Sequence, residues 1–104
     1  MSPPQIPNVS AENGVFQLHD PFPNPGNRFV TIPFTLTDDA TVRIDVYGLD
    51  GSLVQRASTG TLQPGYHQQR FDVSTYSSGV YVYKVYDESS NYLTGKFTVI
   101  KTGS

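Results

Sequence analysis

Short runs in which apolar and polar residues alternate strictly dominate this sequence. Each run is cut off by Gly, Pro, Asp or Asn before it reaches helical length. The clearest is "TVRIDVY", residues 41–47: Val42, Ile44 and Val46 share one side, and Arg43, Asp45 and Tyr47 share the other. A period of two places successive side chains on opposite faces of a strand, so each run has one face suited to a core and one suited to solvent. "RFVTIPFTL" (28–36) groups Val30, Ile32, Phe34 and Leu36 against Thr31, Pro33 and Thr35. "YHQQRFDV" (66–73) groups His67, Gln69, Phe71 and Val73, and "GVYVYKVYD" (79–87) separates Tyr81, Tyr83 and Val85 from Val80, Val82, Lys84 and Tyr86. "YLTGKFTVIK" (92–101) offers Phe97 and Val99 to the core, and "VFQLH" (15–19) and "LVQRAS" (53–58) complete the set. No window of about ten residues has helical periodicity. About seven short strands with turn residues between them predict an all-β sandwich.

The punctuation is as informative as the strands. Asp50-Gly51 lies between two alternating runs and predicts a hairpin, because such turns need positive φ. Pro64-Gly65 occupies the two central positions of an expected type II turn. "DPFPNPGN" (20–27) has three prolines, which cannot join a central ladder, so it is expected as a rigid loop or a crossing at a sheet edge. By the same rule Pro33 argues for an edge strand or a bulge. Residues 1–14, rich in Pro and Asn and nearly free of apolar side chains, read as a flexible linker with appended residues at its start. Residues 15–101 read as one domain, and 102–104 as a tail.

At 104 residues the chain fits one modest core and leaves little room for a catalytic lobe. Seven basic and nine acidic residues give a net charge of −2, and the basic ones are scattered rather than gathered into a patch, which argues against nucleic acid as a partner. There is no cysteine, so disulfides and thiolate chemistry are excluded. No segment approaches the ~20 apolar residues of a membrane span, so membrane insertion is not expected.

Candidate chemistry is sparse. His19 and His67 are the two histidines, and neither accompanies a nucleophile motif. Asp38-Asp39, Asp50 and Asp87-Glu88 fall in turns, where carboxylates cap backbone N–H groups; oxygen ligation of Ca²⁺ is the alternative, although no EF-hand-type loop is present. Tyr47, Tyr66, Tyr86 and Tyr92 face outward by alternation and could stack on sugars, whereas Tyr81 and Tyr83 are expected in the core with hydroxyls reaching backbone partners. The residues alone imply no metal, no cofactor and no enzyme.

The order of the segments carries more. "PFPNPGNRFVTIPFTL", "VRIDVYGLDGSLV", "LQPGYHQQRFDV", "YSSGVYVYKVYD" and "GKFTVIK" follow one another along residues 18–101. This series resembles the C-terminal sorting domains of the bacterial type IX secretion system, and the related Ig-like domain of flagellar hook-capping proteins. The matching positions are Pro23, Asn24 and Pro25; Val46, Tyr47 and Gly51; Pro64, Gly65 and His67; Gly79, Tyr81 and Lys84; Lys96 and Lys101. The hairpin departs from the family pattern: Asp50 stands immediately before Gly51 instead of following the tyrosine.

The resemblance implies an Ig-like β-sandwich of about seven antiparallel strands without catalysis. It implies an exported protein of Bacteroidetes-like bacteria with its cargo domain N-terminal to this one. Such a protein passes the periplasm and is then found at the cell surface or secreted. The expected partners are the outer-membrane translocon and the sortase components of the secretion system, with cleavage in the 1–14 linker. Lys84, Tyr86, Lys96 and Lys101 are the expected recognition residues, the last two as exposed lysines of an edge strand. Pro23, Asn24, Pro25, Tyr47, Gly51, Pro64, Gly65, Gly79 and Tyr81 are expected to set the fold. An Ig-like spacer and a carbohydrate-binding module are the alternative functions.

Overall fold

A computed structural model describes residues 16–89 and 91–101, so the expected linker over 1–14 and tail over 102–104 lie outside the described residues. Seven strands follow in order: β1 (Phe16–Leu18), β2 (Phe29–Leu36), β3 (Ala40–Tyr47), β4 (Leu53–Leu62), β5 (Gly65–Asp72), β6 (Gly79–Tyr86) and β7 (Tyr92–Val99). They form a three-stranded sheet, β1-β2-β5, and a four-stranded sheet, β4-β3-β6-β7. All neighbouring strands run antiparallel. The fold is the expected sandwich, with the fourth strand beside β3 rather than in the first sheet as in the constant-type Ig arrangement.

The two inward faces supply the core. Val30, Ile32, Phe34 and Leu36 of β2 meet Val42, Ile44 and Val46 of β3, Tyr83 and Val85 of β6, and Leu93, Phe97 and Val99 of β7, all essentially inaccessible to water. Each such side chain contributes roughly 1.5–3 kcal/mol by leaving water. His67 and Gln69 share the inward face of β5 with Phe71 but sit at its free edge and stay half-buried. The His67 ring packs 5.8 Å from Phe34, and its Nε2 lies 2.7 Å from the Gln63 carbonyl.

Close approach explains one glycine. Gly95 of β7 pairs with Tyr83 of β6, and a Cβ added at Gly95 would come within 2.5 Å of the tyrosine ring carbon Cζ. The Tyr83 ring therefore lies across the space a side chain would fill. Burial pushes its phenol up to about 12, with the Asp20 charge adding to the effect.

One local expectation is decided and another needs correction. Pro33 lies in β2, the middle strand of its sheet, not at an edge. It is tolerated because its backbone faces the place where β1 stops. The Pro33 carbonyl accepts from the His19 N–H at 3.0 Å, and pairing on that side then resumes at Phe22–Thr31 with one residue more than β2 supplies, so Pro33 sits opposite a bulge, the other arrangement its sequence allowed. Pro64-Gly65 does not form a hydrogen-bonded type II turn. It is a bend that carries the chain from one sheet to the other, with Gly65 at φ +131° already paired to Leu36 of β2. The β3–β4 hairpin is as expected. Gly51 has φ +88°, its N–H donates to the Gly48 carbonyl at 3.0 Å, and Asp50 accepts from the Ser52 N–H at 3.0 Å.

Candidate functional site

The end of the sandwich where β7 finishes gathers three loops that are far apart in sequence: residues 23–27, 48–52 and 73–78. The 20–27 segment is the sheet-edge crossing expected of it. Phe22 still pairs with Thr31 of the first sheet, whereas Gly26 pairs in parallel with Val99 of the second. The Gly26 N–H donates to the Thr98 carbonyl at 2.9 Å, and the Ile100 N–H donates back to the Gly26 carbonyl at 2.9 Å. Asn24 continues the ladder with its side chain, Oδ1 accepting from the Thr98 N–H at 2.9 Å. The Phe22–Pro23 and Asn24–Pro25 peptides are both cis. Gly26 is buried, and a Cβ there would fall 2.6 Å from Val30 Cγ2. The Pro23-Asn24-Pro25 motif thus caps the free edge of β7 with backbone-like hydrogen bonds, which blunts an edge that would otherwise be open to other chains.

Lys101 fastens this end. It lies beyond β7, half-buried, and is not the exposed strand residue that the pattern suggested. Its Nζ donates to the carbonyls of Asn27, Val73 and Ser74, each at 2.8 Å, so all three ammonium protons are engaged. Its own N–H donates to Ser78 Oγ at 2.8 Å. The chain's last described residue therefore ties the crossing loop to the β5–β6 loop. Within that loop the Ser74 N–H and hydroxyl donate to Asp72 Oδ1 at 2.9 and 2.6 Å. Those two bonds hold the Asp72 carboxyl below the usual carboxylate range, helped by the charges of Lys101 and Arg28.

Tyr76 and Tyr81 close the same end from inside. Tyr81 donates its hydroxyl to the Ser77 carbonyl at 2.7 Å, the backbone partner expected for it. Its ring lies 4.9 Å from Tyr76 and 5.9 Å from Phe97. Tyr76 is buried and donates to Gln55 Oε1 on β4 at 2.6 Å; burial pushes its phenol up to about 12. Gly79 begins β6 at φ +154°, directly after this loop.

A second polar constellation lies on the outer face of the four-stranded sheet. Register aligns Arg56, Asp45 and Lys84 across β4, β3 and β6. Asp45 faces outward as expected, yet it is only 3% exposed. Arg56 donates to it twice, at 2.8 and 3.3 Å, and Tyr47 donates its hydroxyl at 3.1 Å. Burial would raise this carboxyl, but the bonds from Arg56 and Tyr47, the Arg56 charge and a further bond from Tyr86 together hold it below the ordinary value. Lys84 has no ion pair with Asp45. Its ammonium sits 5.2 Å from the Tyr86 ring and 5.0 Å from the Tyr92 ring. Lys96 is exposed on β7, and no hydrogen bond or ion pair of its side chain is formed among the described residues.

The four outward tyrosines do not make one platform. Tyr47, Tyr86 and Tyr92 belong to the four-stranded sheet, and Tyr66 is on β5 of the other. His19 Nε2 lies 2.7 Å from Thr35 Oγ1, and its ring is 5.7 Å from Tyr66. Asp50 and Asp87 cap turns, the latter accepting from the Ser89 and Asn91 N–H groups. Among the described residues no three His, Cys, Asp or Glu side chains gather where a metal could be held. No helix there is long and apolar enough to cross a membrane.

The family described as "Secretion system C-terminal sorting domain" matches residues 21–101, and the chain belongs to that family. Its role is C-terminal sorting in type IX secretion, and its partner is that secretion system. No curated protein sequence matches the chain. Among solved structures, the crystal structure of CopC from Methylosinus trichosporium OB3b is similar at 19% identity and a TM-score of 0.51, covering 84% of this chain and 95% of that one. The CARDB domain of the PF1109 protein from Pyrococcus furiosus, solved in complex with di-metal ions, is similar at 13% identity and a TM-score of 0.43, over 85% and 96%. The first likeness speaks to the fold alone, and the second is too slight to carry an argument.

Sequence reasoning missed Asn27, Val73, Ser74 and Ser78 as partners of Lys101, Gly26 and Gly95 as close-approach glycines, and the burial of Asp45. A glycine inside an alternating strand, as at Gly95, is the one signal among these that could have been read in advance.

Proposed function

We propose that this domain acts without catalysis, as a folded signal carried behind an exported cargo and read by the outer-membrane translocon of the secretion system. The cargo lies N-terminal to it, passes the periplasm, and reaches the cell surface or the medium, with release by a sortase-type cleavage in the 1–14 segment. The observation that carries this reading is the Lys101 tie. One side chain draws residues 27, 73 and 74 to the end of β7, so residues scattered over the chain come together only when the domain is folded. A reader of that end reads the fold rather than a linear peptide. Lys96, exposed beside the capped edge, and the Lys84–Tyr86 pair on the adjoining face are the side chains left to contact a partner.

The test is a fusion of residues 15–101 behind a signal peptide and a folded reporter in a host with a working type IX system. Export of the reporter is expected, and it should be lost when residues 96–101 are deleted. Reporter held in the periplasm by the intact fusion would overturn the proposal and leave an Ig-like spacer as the better account.

A further inference from the structure

The outer face of the three-stranded sheet ends in a shallow cleft lined by Arg28, Phe29, Arg70, Asp72 and Ser74. Register explains why these side chains meet. Phe29 pairs with Asp72, Thr31 with Arg70, and Thr31 again with Phe22 on its other side. Phe22, Arg70 and Phe29 therefore project from one face, over a Thr31 that they leave only 6% exposed. Phe22 and Phe29 are themselves 45% and 41% exposed, far more than phenylalanines of a closed surface.

The charges here are placed differently from those on the opposite sheet. The guanidinium carbon of Arg70 lies 4.6 Å from the centre of the Phe29 ring, so the aromatic face supports it and its N–H edge remains outward. Neither Arg28 nor Arg70 forms an ion pair with a described residue, whereas Arg56 is bound to Asp45. The carboxylate nearest them, Asp72, is already engaged by the Ser74 N–H and hydroxyl. Arg70 thus has no charged partner and Arg28 meets Asp72 only through its longer-range charge, on a chain whose net charge is negative.

We propose that this cleft is a docking site for an acidic peptide segment, one in which a Glu or Asp is flanked by apolar side chains. A carboxylate matches the planar fork of an aromatic-supported arginine in a bidentate pair, which a lone ammonium cannot provide. The half-exposed Phe22 and Phe29 supply the apolar flank, and Arg with aromatic residues is the composition of interface hot spots. An inorganic anion or a lipid phosphate would use the arginines but leave both phenylalanines in water, so the surface fits a peptide better. The inference does not depend on which end of the domain the secretion machinery reads.

Nitrogen-15 NMR of the full chain tests it. The resonances followed are the Arg28 and Arg70 Nε–H groups and the backbone amides of Phe29 and Arg70, titrated with acetyl-Leu-Glu-Leu-amide. Saturable shifts confined to this face are expected, with affinity at least about tenfold lower for acetyl-Leu-Gln-Leu-amide and for the Arg70→Gln chain. Arg28→Gln should weaken binding as well, and both variants are on the surface and should keep the wild-type melting profile. Equal affinity for the Glu and Gln peptides, or no shift at all, overturns the proposal. So does inorganic phosphate binding as tightly as the Glu peptide. Binding to phosphatidylglycerol vesicles without any response to the peptide would also overturn it, and would identify a membrane surface instead.

Discussion

Replacing Lys101 by Met keeps most of the side-chain stem and removes the ammonium that three carbonyls share. Hydrogen bonds to a charged group contribute roughly 1.5–3 kcal/mol each. The three carbonyls are not equivalent to buried ones, however. Lys101 is half-buried, and the Asn27 and Ser74 carbonyls can turn to water once the ammonium is gone. Discounting for that solvation leaves a loss of about 2–4 kcal/mol. For a domain of this size that corresponds to a fall in Tm of about 10–25 °C. Urea unfolding followed by circular dichroism should show the midpoint moving with an unchanged slope, since the surface exposed on unfolding hardly alters. Lys101→Arg separates charge from geometry. It keeps the charge, but a planar fork cannot bring three donors on one nitrogen to three converging carbonyls, so at least half of the loss should remain. Two results would refute the reasoning: both variants within about 0.5 kcal/mol of wild type, or full recovery with Arg.

Gly95→Ala should cost about 1–3 kcal/mol, because its methyl group meets the Tyr83 ring, and the cost should shrink in a Tyr83→Phe background, read as a coupling energy in a double-mutant cycle. Asp45 is held below its ordinary carboxyl value when folded, so the unfolded chain takes up the proton first on acidification. Its stabilisation is present above the unfolded value near 3.8 and fades as pH falls through the lower folded value, so Asp45→Asn should flatten the acid limb of a stability–pH profile. Tyr76 and Tyr83 are both pushed up to about 12, above the ordinary value of 10.0, so stability should fall as pH rises between those values. A phenolate absorbance titration of the folded protein should show these two tyrosines ionising last or together with unfolding.

Much of the architecture was legible because its cause is local. Alternation in residues 41–47 and 79–87 assigns faces without knowledge of any partner, and Asp50-Gly51 states its own turn. The same local rules fell short where a neighbour decides the outcome. Pro33 suggested an edge or a bulge, and only the irregular pairing between Leu18–Phe34 and Phe22–Thr31 shows that a middle strand accepts it at a bulge. Lys101 belongs to a run that looks like a strand to its end, but the crossing loop ends the strand at Val99 and turns the lysine inward. Asp45 is polar, faces outward and is nonetheless buried, because Arg56 and Tyr47 from the same sheet lie over it. Of the expected recognition residues, Lys84 and Tyr86 are brought together, Lys96 stands apart, and Lys101 is fully engaged within the fold. Pairing across strands, which one sequence does not display, separates these cases.

The bonds from Thr98 to Asn24 and from Lys101 to Asn27 each span 74 residues. Contacts so distant along the chain must first pay the entropy of closing a long loop. Until residues 98–101 are in place, the crossing loop lacks its pairing partners and the carbonyls of residues 27, 73 and 74 have no common donor. A polypeptide that stopped a few positions short could still collapse around Phe34 and Ile44, yet it would present an unfinished end. The tie at Lys101 therefore makes the joining of residues 27, 73 and 74 conditional on β7 and the residues that follow it.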